Sequence, residues 1–276
     1  MPANTWGFRS VRGVRRPPVE IEVDFGAGPR SLTAGMPVLD LRPATGLTPA
    51  EGPIDWTALA LLPDTTTVVW SGSDRGLGEA LGARPTITAL DWGDAAGDLD
   101  LRRTCLDRVR LGCAELGSVR LPQSMTFLFL HRSPAGLRVE APEEGRGLRL
   151  SLLRHGAGDV VPAGLRLTPV VRVGAGGEFS AARLAPLANL RELVVEFEAP
   201  PGALTEAERL REHPGLQSLT LIDGYGLDPA ALPRVDRLHL VGARQATVDE
   251  LRHRWGDSLT VENARAESWF DEDRRG

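Results

Sequence analysis

The chain has 276 residues, 42% of them hydrophobic and 25% charged, a balance that excludes a wholly disordered polymer and leaves room for a large core. All 32 basic residues are arginine and none is lysine, which closes every mechanism that needs a lysine. The formal net charge of -5 argues against general nucleic-acid binding, which depends on a basic face to neutralise phosphates.

At the N-terminus, MPANTWGFRS lacks the continuous apolar core of a secretory signal. The longest apolar run, around MTFLFL, is far shorter than the ~18 residues of a spanning helix. A cytoplasmic protein with no membrane partner is therefore expected. Arg9, Arg12, Arg15 and Arg16 form a basic stretch that reads as a solvated tail. Abundant Ala, Gly, Leu, Arg and Pro reflect a GC-rich coding bias, so arginine number alone does not point to phosphate binding. In VEIEVDF, Val19, Ile21, Val23 and Phe25 alternate with Glu20, Glu22 and Asp24, the pattern of a half-buried strand. PVLDLRP offers another short strand and PATGLTPAEGP a Pro/Gly-rich loop. Residues 1–64 are expected to form an N-terminal cap over the open strand edge of the repeats that begin near residue 65.

TTVVWSGSDRGLGEALG runs strand, glycine loop, helix, with Gly72, Gly76 and Gly78 spaced as in a dinucleotide loop, and is similar to the nucleotide-binding turn of short-chain dehydrogenases. Those enzymes need a tyrosine and a lysine four apart. Here the only tyrosine is Tyr225, and no series of βαβ units succeeds the loop, so the glycines are expected at a turn and no cofactor is implied. DWGDAAGDLD presents Asp91, Asp94, Asp98 and Asp100 but lacks calcium-loop spacing and a closing glutamate, so a solvated loop without metal is expected. Cys105 and Cys113 build neither a disulfide framework nor a zinc site and are expected to be reduced. His131, His155, His213, His239 and His253 form no ligand or nucleophile signature.

From residue 65 onward a motif of the form apolar-x-x-apolar-x-apolar recurs. Its clear copies are Ile87/Leu90/Trp92, Leu106/Val109/Leu111, Met125/Leu128/Leu130, Leu190/Leu193/Val195, Leu216/Leu219/Leu221 and Val235/Leu238/Leu240. Weaker copies end on Val68/Trp70, Leu150/Leu152, Val171/Val173 and Leu259/Val261, and successive copies lie 19 to 26 residues apart. The last two apolar positions of each copy are two apart, so each supplies a short strand with one face inward. Stacked neighbours then share one continuous core.

The segments LANLRELVVEF, HPGLQSLTLID and PRVDRLHLVG resemble the leucine-rich repeat superfamily, and TVDELRHRWGDSLTVENA looks like the closing repeats of bacterial proteins of that kind. The resemblance covers residues 65–264. It implies an α/β solenoid of about ten coils, with one parallel sheet on the concave face and strands or short helices on the convex face, and a tail at 265–276. Where the superfamily places asparagine this chain has Ala95, Ala114, Ser133, His155, Gly176, Glu198, Gly224, Ala243 and Ala264, which favours an irregular array whose turns use other backbone contacts. ALTEAERLREHPG and TVDELRHRWG read as helices opened by the capping boxes Thr205/Glu208 and Thr247/Glu250. LGSVRL and GLRVEA read as second strands around Val119 and Val139.

The register also predicts an outward face. Residues between the paired anchors are Val69, Asp91, Arg110, Phe129, Ser151, Arg172, Val194, Thr220, His239 and Thr260, with Arg108, Phe127, His131 and Arg149 beside them. Aromatics ringed by arginines have the composition of interaction hot spots, so Arg108, Arg110, Phe127, Phe129, Arg149 and Arg172 are the expected binding residues. A protein-interaction module is the first reading, its partner another protein or a second copy in a homodimer. The alternative is a metal-independent enzyme or small-ligand protein using this face as a cleft, with Asp91, His131 or His239 as acid-base groups.

Overall fold

The computed structural model describes residues 19–26, 28–42, 45, 54–142, 147–156, 158–165, 168–198 and 202–265. The basic stretch Arg9 to Arg16, nearly all of PATGLTPAEGP and the terminal DEDRRG lie outside them. Two strands, β1 (Glu20–Val23) and β2 (Arg30–Thr33), pair as an antiparallel hairpin, with Val23 and Phe25 buried as the alternation of VEIEVDF predicts.

The centre is an open sheet of eleven strands, all parallel: β3 (Val38–Asp40), β4 (Thr67–Trp70), β5 (Ala89–Trp92), β7 (Arg108–Gly112), β9 (Phe127–His131), β11 (Arg149–His155), β12 (Val170–Ala175), β14 (Glu192–Phe197), β16 (Ser218–Ile222), β18 (Arg237–Val241) and β19 (Leu259–Glu262). The intervening numbers belong to two smaller sheets. Each strand lies beside the next in the chain, and the register keeps one anchor per strand aligned. Leu39, Val68, Leu90, Val109, Leu128, Leu150, Val171, Leu193, Leu219, Leu238 and Leu259 stand side by side. All of these except Leu259 are no more than 2% exposed. A second column runs from Trp70 and Trp92 through Leu111, Leu130 and Leu152 to Leu240. Burying such a side chain stabilises the fold by roughly 1.5–3 kcal/mol, so the columns are the main cohesive element of the sheet. The ten anchors expected from the repeat are all in this sheet, and PVLDLRP adds an eleventh strand beside β4.

Parallel neighbours need a crossover, and here short strands and helical turns provide it. The strands β6 (Ala96–Asp100), β8 (Glu115–Arg120) and β10 (Arg138–Glu140) form one parallel sheet, and β13 (Glu178–Ser180), β15 (Gly202–Thr205) and β17 (Gly224–Gly226) form another. The strands expected around Val119 and Val139 are β8 and β10, with both valines buried. Helices are few: α1 (Leu77–Gly82), α2 (Gln245–Trp255) and short 3-10 turns such as Trp56–Leu61 and Ala207–Glu212. This is an α/β-type fold of mostly parallel strands, not closed into a barrel.

Both expected capping boxes are replaced. Thr205 ends β15 with its hydroxyl on Glu178, and the 3-10 turn opens at Glu206, whose φ is 50° and which makes no side-chain cap bond. The pairing of β15 with β13 keeps Thr205 extended and moves the helix start beyond it. Helix α2 begins two residues before Thr247, because the Arg265 carbonyl already accepts the Gln245 amide.

The strand ends that lack asparagine are tied by backbone bonds across strands, among them Ala95 N–H to Gly112 O, Cys113 N–H to His131 O and Asp223 N–H to Val241 O. The glycine loop after β4 is filled from within. The indole N–H groups of Trp92, Trp70 and Trp56 donate to the carbonyls of Gly72, Ser73 and Arg75, and the Asp74 carboxylate accepts the Gly78 amide at 2.9 Å. A carboxylate thus sits where a dinucleotide loop would hold phosphate. Among the described residues no helix is long and apolar enough to cross a membrane.

Candidate binding face

Strand alternation turns every second side chain of the large sheet away from the buried columns. One outward row, just before the first column, includes Thr67, Ala89, Arg108, Phe127, Arg149 and Val170. The next, between the columns, includes Val69, Asp91, Arg110, Phe129, Ser151 and Arg172. The six expected binding residues therefore share one face, on the neighbouring strands β7, β9, β11 and β12.

Phe127 is the centre of this patch. Arg108 and Arg149, from the strands on either side, place their guanidinium carbons 5.4 and 5.5 Å from its ring centroid. That is cation–π distance, worth about 0.5–1 kcal/mol at an exposed site. The Phe127 and Phe129 rings are nearly parallel, at 13° with centroids 6.5 Å apart, and form an apolar ridge along β9.

The other two arginines are already neutralised. Arg110 lies 3.7 Å from Asp91 on β5, and Arg172 hydrogen-bonds Glu196 on β14. Arg108 and Arg149 have no carboxylate partner among the described residues. An open depression of about 500 Å³ adjoins the patch, lined by Asp91, Arg108, Arg110 and Phe129 among others. Leu153 also lines it, as the next outward position of β11 after Arg149 and Ser151, in register with His131. The bulge of β11 toward β12, with Arg154 at φ 49°, has no clear mark in the sequence.

The three acid-base candidates are not brought together. Asp91 is committed to Arg110. His131 lies two strands away on β9, roughly 10 Å at the usual strand spacing. His239 lies seven strands from Asp91, on the order of 33 Å along the sheet, with its Nε2 3.2 Å from Glu262. No two of them lie within hydrogen-bond reach of each other.

His131 instead walls a separate notch of about 370 Å³ at the C-terminal ends of β5, β7 and β9, together with Gly93, Asp94, Gly112, Cys113, Glu115 and Arg132. Desolvation, with help from nearby arginines, lowers the His131 pKa, and its Nε2 is buried without a hydrogen-bond partner. Two of its lining residues, Gly93 and Gly112, come directly after the second anchor on β5 and β7, where their backbones pack closely. A Cβ on Gly112 would lie 1.6 Å from the Gly93 carbonyl oxygen. The repeated Trp92-Gly93 and Leu111-Gly112 pairs are the sequence signal for this close packing.

The four aspartates of DWGDAAGDLD go to separate partners: Asp91 to Arg110, Asp94 to Ser71, Asp98 to Ser118 and Asp100 to Arg102. Both cysteines are free thiols, Cys105 exposed and Cys113 buried, and burial pushes the Cys113 thiol up to about 12, far from a nucleophilic thiolate. His155 is a core residue packed edge-on against Phe179, its pKa lowered to about 4 by burial. The chain matches no known protein family, and no curated protein matches it.

Proposed function

We propose that this protein is an interaction module of the leucine-rich repeat type, a cytoplasmic solenoid that binds another protein through the outward face of its large sheet. Support for the repeat reading comes from the aligned leucine and valine columns with one strand per 19 to 26 residues. The cytoplasmic address fits two unpaired cysteines.

One observation carries the functional reading: the row Arg108–Phe127–Arg149, in which two guanidinium groups have no carboxylate among the described residues. Such a row recognises an acidic partner segment that also brings an aromatic or apolar group to the Phe127–Phe129 ridge. The test is a pull-down with wild type and with Arg108→Ala/Phe127→Ala/Arg149→Ala. The expected result is a set of proteins that the variant loses and that high salt releases. An identical set on both would overturn the reading.

A second reading, a small-ligand protein, is favoured by the unpartnered His131 Nε2 at the notch wall. Its test is a thermal-shift screen comparing wild type with His131→Ala. Ligand-induced shifts that vanish in the variant support it, and the absence of any such shift counts against it.

A further inference from the structure

We infer that the occupant of the Arg108–Phe127–Arg149 row is residues 267–273 of a second copy of this chain. The inference rests on the reading of this face as a site for acidic partners and names the partner. The segment Glu267-Ser268-Trp269-Phe270-Asp271-Glu272-Asp273 holds the only adjacent pair of aromatic residues in the sequence, with three carboxylates directly after it and no basic residue before Arg274. Its chemistry is the complement of the face. In an extended segment Trp269, Asp271 and Asp273 share one side, so the Trp269 ring lies against the Phe127–Phe129 ridge and the two aspartates meet the guanidinium groups that lack a partner among the described residues.

The spacing agrees. Both guanidinium carbons lie within 5.5 Å of one ring centroid, so they are no more than about 11 Å apart. Asp271 and Asp273 in an extended segment fall on the same side about 7 Å apart, and the length of the arginine side chains spans the difference.

Chain length decides between the protein's own segment and that of a second copy. The described chain ends at Arg265, which bridges to Arg244 beyond β18, and Phe127 is on β9, six strands in from the β19 edge. Six strand spacings amount to about 29 Å. Trp269 and Phe270, four and five residues past Arg265, reach at most about 18 Å. They cannot lie on their own Phe127 and Phe129. The contact is therefore made in trans, and reciprocal exchange of the segment between two copies closes it as a dimer. Glu143 and Glu144 are near enough in sequence to Arg149 to compete for it, but they bring no ring to the ridge.

The experiment has two parts. The full chain is sedimented as wild type, as Asp271→Asn/Glu272→Gln/Asp273→Asn, and as Arg108→Ala/Arg149→Ala. A labelled peptide of residues 264–276 is titrated, by fluorescence anisotropy, into the neutralised chain with and without the arginine substitutions. The expected results are a dimer mass for wild type and a single-chain mass for both variants. Peptide binding should weaken about tenfold or more on loss of the two arginines and fall with added salt. Far-UV circular dichroism spectra like that of wild type and cooperative urea unfolding show that the variants fold. Equal masses for all three chains, or peptide binding indifferent to Arg108 and Arg149, would overturn the inference. A phenylalanine-flanked glutamate peptide separates the two levels. If it binds through these arginines while 264–276 does not, the face stands and self-docking falls; if neither binds, both fall.

Discussion

Two rows of side chains, each crossing three strands in register, differ in one respect. On the small sheet the row Asp100–Arg120–Glu140 alternates in sign. Arg120 bonds Glu140 at 3.0 Å and lies 3.7 Å from Asp100, which Arg102 also holds. On the large sheet the row Arg108–Phe127–Arg149 alternates cation, ring, cation, with no acid among the described residues. Both rows rest on fully buried anchors, Val119 beneath the first and Leu128 beside the second. Ion pairs neutralise the first row, whereas the second stays cationic around an aromatic ring, and it is this difference on which the proposed binding face rests.

Whatever the surface charges, the buried columns of the large sheet should be intolerant of change along their whole length. Leu128→Ala and Leu219→Ala each remove a side chain that is 0% exposed and should each cost about 3–5 kcal/mol in urea unfolding. A loss under about 1 kcal/mol at either site would mean the columns are not a shared core. Gly112→Ala comes next, at about 3 kcal/mol, because the new Cβ meets the Gly93 carbonyl, a backbone atom with no easy retreat. The substitution should also close the His131 notch.

Acid should weaken the core under both rows alike. His155 titrates near 4 in the fold against an ordinary value of 6.5, so between those values the unfolded chain binds more protons. Stability contributed by neutral His155 is complete above the unfolded value and declines as pH falls through the window, by on the order of 2 kcal/mol at pH 4.5. His131 and His213, both shifted downward chiefly by desolvation, add in the same direction. His155→Leu should flatten the slope of urea midpoint against pH; an unchanged slope would assign it to other groups. The smallest effects separate the rows. Arg108→Ala and Arg149→Ala each give up one cation–π contact with Phe127 and should each cost about 0.5–1 kcal/mol in urea unfolding. Arg120→Ala, which leaves Asp100 and Glu140 facing each other, should cost up to about 1 kcal/mol and lose that effect in high salt.

The strands and their inward columns were legible because burial demands apolar residues at strand spacing, and Leu193, Leu219 and Leu238 meet that demand one strand after another. The six face residues came from the same register, since the side chain between two buried anchors has to point the other way. The helix starts were not legible. Thr205 and Thr247 have the right local chemistry, but the pairing of β15 with β13 and the bond from Gln245 to Arg265 outcompete it. The glycine loop was legible as a turn but what fills it was not, because three indoles far apart in sequence converge on its carbonyls.

What the amino-acid order determines by itself is therefore periodic: which residues face inward, which outward, and how often the chain returns. Only the tertiary structure decides which outward charges find each other. Asp91 and Arg110 are paired, as are Arg172 and Glu196, whereas Arg108 and Arg149 flank Phe127 instead. The physical reason is range. Side-chain orientation is set by neighbours one or two residues away, but pairing across strands depends on a register between segments some twenty residues apart, fixed only once the shared core has formed.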